Sequence, residues 1–136
     1  MYSFMDHCKQ YDEYNGSVAV VVCDINHLSD INIQYGQKAG NQALINVAGV
    51  LKKILMDRAY IARINEGNFV AVMKNVTDAE AGKTFEQIKR IVEKECNNGK
   101  FGVTIEYGIA MRKASNRWIM DIVHEAVNDM RDRKGR

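Results

Sequence analysis

Asp24 closes an apolar run at 18–23 (VAVVVC), and Asn65-Glu66-Gly67-Asn68 separates two more, 59–64 (AYIARI) and 69–73 (FVAVM). Short, β-branched runs around four turn-prone residues predict a β-hairpin with its tip at the Asn-Glu-Gly-Asn turn. A carboxylate at a strand end facing a hairpin tip is one way to assemble a nucleotide–metal site. The side chains at the tip then decide whether chemistry follows, because hard divalent cations demand oxygen ligands and usually more than one carboxylate.

The chain that must position these residues has 136 residues, enough for one compact domain with a core. Apolar residues make up 46%, which places it among globular rather than disordered chains. A net charge of +2 with 26% charged residues argues against a strongly electrostatic nucleic-acid or membrane binder. No apolar run approaches the ~18 residues of a membrane span. The N-terminal MYSFMDHCKQYDEY lacks the basic start and apolar centre of a signal peptide. Cys8, Cys23 and Cys96 are odd in number and lack metal-ligand spacing, which points to a reducing, cytosolic compartment with Cys23 packed in a strand core. His7, His27 and His124 have no i,i+4 partners or acidic orienters and read as ordinary surface or core histidines.

Taken in order, Phe4, Cys8 and Tyr11 predict a lead-in helix over 2–15 that stops at Asn15-Gly16. The strand 17–24 is apolar almost throughout, which implies burial on both faces. A helix over 26–35 puts Leu28, Ile31 and Tyr35 on one face, and another from about 41 to 57 carries Leu44, Val47, Leu51 and Ile54 inward. Thr77-Asp78-Ala79-Glu80 is a capping box opening a helix with Ala81, Phe85, Ile88 and Val92 inside, stopped by Asn97-Asn98-Gly99. Alternation over 102–111 predicts a last strand. Ser115 is expected to cap a final helix whose inner face holds Trp118 or Ile119, then Ile122, Ala126 and Met130. The order α-β-α-α-β-β-α-β-α contains a β-α-β-β-α-β core, the ferredoxin-like arrangement. The fold class is therefore α+β, one antiparallel sheet with helices expected on one face.

The run Asp24-Ile25-Asn26-His27-Leu28-Ser29-Asp30-Ile31-Asn32, then Tyr35-Gly36 and Gly40-Asn41, resembles the GGDEF (diguanylate cyclase) family's D-I-D-x-F-K-x-I-N-D-x-x-G-H-x-x-G-D. Arg63-Ile64-Asn65-Glu66-Gly67-Asn68-Phe69 falls where that family has R-Y-G-G-D/E-E-F, and Val103 to Ala110 resembles its V-T-x-S-I-G-V-A strand. Glu125 to Arg136 loosely resembles its terminal A-D-x-A-L-Y-x-A-K-x-x-G-R helix. The resemblance spans about 4–136 and implies a nucleotidyl-cyclase palm, with residues 1–15 as lead-in helix or linker and 16–136 as the single GGDEF-like domain. It also implies two facing protomers that join two GTP molecules into cyclic di-GMP with divalent metals.

Position by position, the resemblance makes Asp24 and the Ile25 carbonyl weak candidates for Mg²⁺. The second metal carboxylate falls at Gly67, which has no side chain, and the signature acid near the reaction centre falls at Asn68. Asn65 and Glu66 stand where the family has two glycines beside phosphate, and Glu66 adds negative charge there. A turn shifted to use Gly67 in the left-handed region would suit the sequence. Asn32 matches the guanine-contacting Asn, while Asn41 replaces an Asp that accepts from guanine, so guanine selectivity should weaken. Leu28 and Ser29 stand for the family's Phe and Lys. Arg131, Arg133 and Lys134 are candidates for phosphate, although such a cluster is more often a solvated helix C-terminus that complements the macrodipole. The family's inhibitory R-x-x-D would fall at Met56 to Ala59, where neither residue matches.

No catalytic set is intact, and Asn65, Glu66, Gly67, Asn68 and Phe69 form a degenerate signature. The expected function is a catalytically inactive GGDEF domain acting as a regulatory, nucleotide-sensing or dimerisation module of a cytoplasmic signalling protein. GTP or another nucleotide, a second GGDEF domain and an upstream sensory domain are the expected partners. Nucleic acid and direct membrane insertion are not expected. The alternative is a weak or altered cyclase or nucleotidase using Asp24 with Asn26, Asn68 or Glu66.

Overall fold

The computed structural model describes residues 4–65, 67–97, 99–113 and 117–135, excepting the side chain of Met5. Its elements are α1 (Phe4–Asp12), β1 (Val18–Ile25), α2 (Leu28–Tyr35), α3 (Gln37–Leu55), β2 (Tyr60–Arg63), β3 (Asn68–Lys74), α4 (Asp78–Glu95), β4 (Ile105–Arg112) and α5 (Ile119–Lys134). The four strands form one antiparallel sheet in the order β2-β3-β1-β4. The element order and the ferredoxin-like sheet match the reading of the sequence.

The helices do not all lie on one face, contrary to that reading. Successive side chains of a strand point to opposite faces, and both sets on β1 are apolar. Ala19, Val21 and Cys23 pack with α3 and α4, whereas Val18, Val20 and Val22 pack with α1 and α5. The strand's unbroken hydrophobicity therefore demands a helical layer on each side. Gly108 makes one of these contacts possible. A Cβ there would lie 2.2 Å from the Ala126 carbonyl oxygen and 2.3 Å from the Met130 nitrogen, so α5 runs with its backbone directly against β4.

Local signals set most boundaries. Thr77 and Glu80 form the reciprocal capping box that opens α4, and Ala81, Phe85, Ile88 and Val92 are buried. Helix α3 begins at Gln37 rather than 41, which places Asn41 inside the helix instead of at its end. Tyr35 lies against Phe101 (centroids 4.6 Å apart) and its hydroxyl donates to the Lys100 carbonyl at 3.1 Å. At the last helix Ser115 lies outside the described residues, and α5 begins at Ile119 with Trp118 as its N-cap. Ile119 is fully buried while Trp118 is 67% exposed, so the inner position belongs to Ile119.

Cys8, Cys23 and Cys96 are free thiols, all buried. Burial pushes the Cys8 thiol up to about 11, with Asp12 adding to the shift. Among the described residues no helix is long and apolar enough to cross a membrane.

Candidate nucleotide and metal site

The site gathers at the end of the sheet where β1 meets the β2–β3 hairpin. The last hairpin pair is Arg63 with Phe69, closed by Ile64 N–H donating to the Asn68 carbonyl at 3.1 Å and by Arg63 Nε donating to the Asn65 carbonyl at 3.1 Å. Across the other edge of β3, Asp24 pairs with Asn68, and Ile25 N–H donates to the Gly67 carbonyl at 3.2 Å. The carboxylate of β1 thus faces the hairpin tip, as the sequence suggested. Glu66 lies outside the described residues.

Neither Gly67 nor Asn65 is among the described residues in the left-handed region, and the turn expected there runs through Glu66. The bond to Ile25 prolongs the ladder through Gly67. The lack of a side chain there serves close approach. A Cβ on Gly67 would lie 3.2 Å from Leu28 Cδ2 and 3.4 Å from Asp24 Oδ1. Position 67 therefore aims directly at Asp24, and it carries nothing to share a cation with.

Asn68, Asp24 and Glu106 are register partners across β3, β1 and β4, in one row on the face that α5 covers. The side-chain oxygen of Asn68 is buried without a hydrogen-bond partner. Glu106 accepts from Tyr107 N–H at 3.1 Å and lies 3.5 Å from Lys89 of α4. Lys134, from the last turn of α5, pairs with the second oxygen of Asp24. Burial pushes the neighbouring Cys23 thiol up, Asp24 and then Glu106 add to the rise, and Lys134 opposes it. The roles of Glu106, Lys89 and Lys134 were not visible in the sequence. Alternation over 102–111 does put Glu106 opposite Val103 and Ile105, but only the β1–β4 register sets it beside Asp24.

The base-contact candidates come together on the α2–α3 pair. A Cβ on Gly40 would fall 1.7 Å from Asn32 Oδ1, so the Asn32 side chain occupies the space that Gly40 leaves open, next to Asn41. The Asn32 oxygen is buried and without a hydrogen-bond partner. Asn41 accepts from Gln37 Nε2 at 3.0 Å, which leaves its amide nitrogen as the outward donor. Asn26 donates to Thr104 Oγ1 at 3.0 Å. Of the basic residues at the end of α5, Arg133 pairs with Asp129 at 2.9 Å over the Tyr107 ring, Lys134 holds Asp24, and Arg131 is exposed. His27 does have an acidic neighbour: Asp30, one helical turn on, lies 3.5 Å away, with both side chains well exposed.

Mg²⁺ suits this set poorly. It binds through one or two carboxylates in a near-octahedral shell, whereas here Asp24 is shared with an ammonium, beside a glycine and a neutral amide, and its row neighbour Glu106 lies 3.5 Å from the Lys89 ammonium. Among the described residues no three His, Cys, Asp or Glu side chains cluster to hold a metal.

Residues 3–136 match the protein family described as diguanylate cyclase, GGDEF domain. The chain is 27% identical over 101 residues to diguanylate cyclase A of Treponema denticola, covering 72% of this chain and 27% of that protein. It thus spans about a quarter of that relative's length. Its fold is similar to the GGDEF domain of DgcB from Caulobacter crescentus, solved in complex with c-di-GMP (TM-score 0.85, 21% identity, 96% of this chain and 82% of that one). It is similar also to the diguanylate cyclase SiaD of Pseudomonas aeruginosa, solved with its activator SiaC (TM-score 0.82, 16% identity, 96% of this chain and 51% of that one).

Proposed function

The chain belongs to the GGDEF domain family, and from that premise we propose that it is a catalytically silent member, a regulatory, nucleotide-sensing or dimerisation module of a cytoplasmic signalling protein. The observation that carries this reading is Gly67, which points at Asp24 from van der Waals distance with no carboxylate to offer. Phosphoryl chemistry at such a centre depends on metal ions that neutralise the phosphates and activate the attacking hydroxyl. With one carboxylate already paired to Lys134, and Asn68 neutral, cation affinity and hydroxyl activation both fall.

Nucleotide recognition is the part of the inherited role that the remaining side chains support best. Asn32 and Leu28 stand on α2, Asn41 on α3, and Arg131 is exposed near the end of α5. Asn41 presents an amide donor because Gln37 holds its oxygen, so a guanine-type donor edge is disfavoured there. A second GGDEF domain and an upstream sensory domain are the partners this role calls for.

The test is thermal unfolding with Mg²⁺ and, separately, GTP, ATP or cyclic di-GMP at millimolar concentration, beside chromatography of GTP incubated with the chain. A ligand that binds only the folded state raises the midpoint by mass action. The expected result is no cyclic dinucleotide and no pyrophosphate, with any nucleotide shift removed by Asn32→Ala. Product formation abolished by Asp24→Ala would overturn the reading.

A further inference from the structure

We infer that Lys134 is the resident cation of this site, an ammonium that holds Asp24 in the position a divalent ion would take. The inference rests on the silent-module reading and adds which group answers the charge of Asp24. Asp24 sits at the end of a fully buried strand, with its side chain only 22% exposed, beside Glu106 in the same cross-strand row. Two carboxylates there without counter-charge would repel each other.

The structure supplies one cation to each. Lys134 comes down from α5 to Asp24, and Lys89 comes from α4 to Glu106 at 3.5 Å. The remaining nearby base, Arg133, is committed to Asp129 at 2.9 Å. The local charge is thus balanced by side chains alone. A divalent ion approaching Asp24 meets the ammonium, and sharing the carboxylate at contact distance is opposed by a repulsion that is modest in water and grows as the dielectric falls. Lys134 and a metal therefore compete, and the lysine, tethered to α5, is always present.

Mn²⁺ is the probe, because it binds oxygen ligands and broadens nearby amide resonances in the full chain. In wild type, the amides of Asp24, Ile25 and Gly67 should stay sharp at Mn²⁺ concentrations that leave distant signals unaffected. In Lys134→Gln they should broaden at about tenfold lower Mn²⁺ than in wild type, and Lys134→Gln with Asp24→Asn should abolish this response. Lys134 is exposed at a helix end, so the variant keeps the fold, which its other resonances verify. Equal broadening in wild type and Lys134→Gln, or none in Lys134→Gln, overturns the inference. A response in Gly67→Asp with Lys134 intact that matches Lys134→Gln also overturns it, because the tip alone would then limit the cation. These outcomes leave the silent-module reading standing, whereas GTP turnover by wild type overturns that reading.

Discussion

Asp12 and Ile119 are 107 residues apart in the chain, yet an Asp12 carboxylate oxygen accepts the Ile119 backbone N–H at 2.7 Å. The last residue of α1 thereby caps the first turn of α5. A carboxylate at a helix N-terminus satisfies an otherwise unpaired donor and complements the macrodipole. Asp12→Ala should cost about 1–2 kcal/mol, the usual penalty for a lost cap. Asp12→Asn, which keeps an acceptor oxygen, should cost clearly less. Urea unfolding of both variants measures the difference.

The same junction is held by Arg112, whose side chain is fully buried. Its Nη2 donates to the carbonyls of Tyr11 and Tyr14, both at 2.7 Å, and its Nη1 to that of Arg117 at 3.3 Å, with Asp12 4.0 Å away. One guanidinium thus fastens the end of α1, the end of β4 and the approach to α5. Charge-assisted bonds contribute about 1.5–3 kcal/mol each, so Arg112→Met should lose about 3 kcal/mol after allowing for the apolar replacement. Arg112→Lys should not recover it, because an ammonium cannot match the fork that reaches two chain segments at once. Denaturant midpoints for the two variants decide this.

Recognition at the base site is testable through Asn41. Restoring a carboxylate with Asn41→Asp replaces an outward amide donor by acceptors, which a guanine edge with its N–H groups prefers. The thermal shift with GTP should rise relative to that with ATP. Equal shifts before and after the substitution would show that the α2–α3 pair does not contact the base.

Much of this architecture was legible because its signals are local. The capping box at Thr77, the hairpin turn and the stripe Ala81, Phe85, Ile88 and Val92 each involve residues within a turn or two of one another. The illegible parts are long-range. Whether Val18, Val20 and Val22 meet helices depends on where α1 and α5 return to the sheet, and a strand's own pattern says only that both faces are buried. The pairing of Lys134 with Asp24 and of Asp12 with Ile119 joins positions more than a hundred residues apart. Arg112 lies one residue beyond the strand predicted over 102–111, and its burial depends on α1 and the approach to α5 closing over the end of β4. At the candidate site, the identities of Gly67 and Asn68 were readable, but the counter-charges that answer Asp24 and Glu106 were set by the tertiary fold.

Two glycines of α3 should respond in opposite directions to the same substitution. At Gly49 a Cβ meets nothing within 4 Å, so Gly49→Ala gains helix propensity and should stabilise the chain by about 0.5–1 kcal/mol. At Gly40 the same group would fall 1.7 Å from Asn32 Oδ1, so Gly40→Ala should instead destabilise by about 1 kcal/mol as Asn32 is displaced. The loss should vanish when Asn32→Ala is present, a non-additivity expected only for residues in contact. An additive double variant would place the strain in the backbone rather than against Asn32.

Tyr107 links β4 to α4 through its hydroxyl, which donates to Glu86 at 2.8 Å. Burial, and then this bond to a carboxylate, push its phenol up to about 12 from an ordinary value near 10. The unfolded chain therefore releases this proton first as pH rises. The contribution of the neutral phenol to stability is fully present below about pH 10 and is lost as pH climbs towards 12. Tyr107→Phe removes the titrating group, so its unfolding free energy should fall less steeply than that of wild type between those values. At neutral pH the same variant should be modestly less stable, because Glu86 loses its donor. Parallel urea titrations from pH 8 to 11.5 give both readings, and identical slopes for the two proteins would assign the alkaline loss to other groups, such as Tyr11 and Tyr60, whose phenols burial also raises.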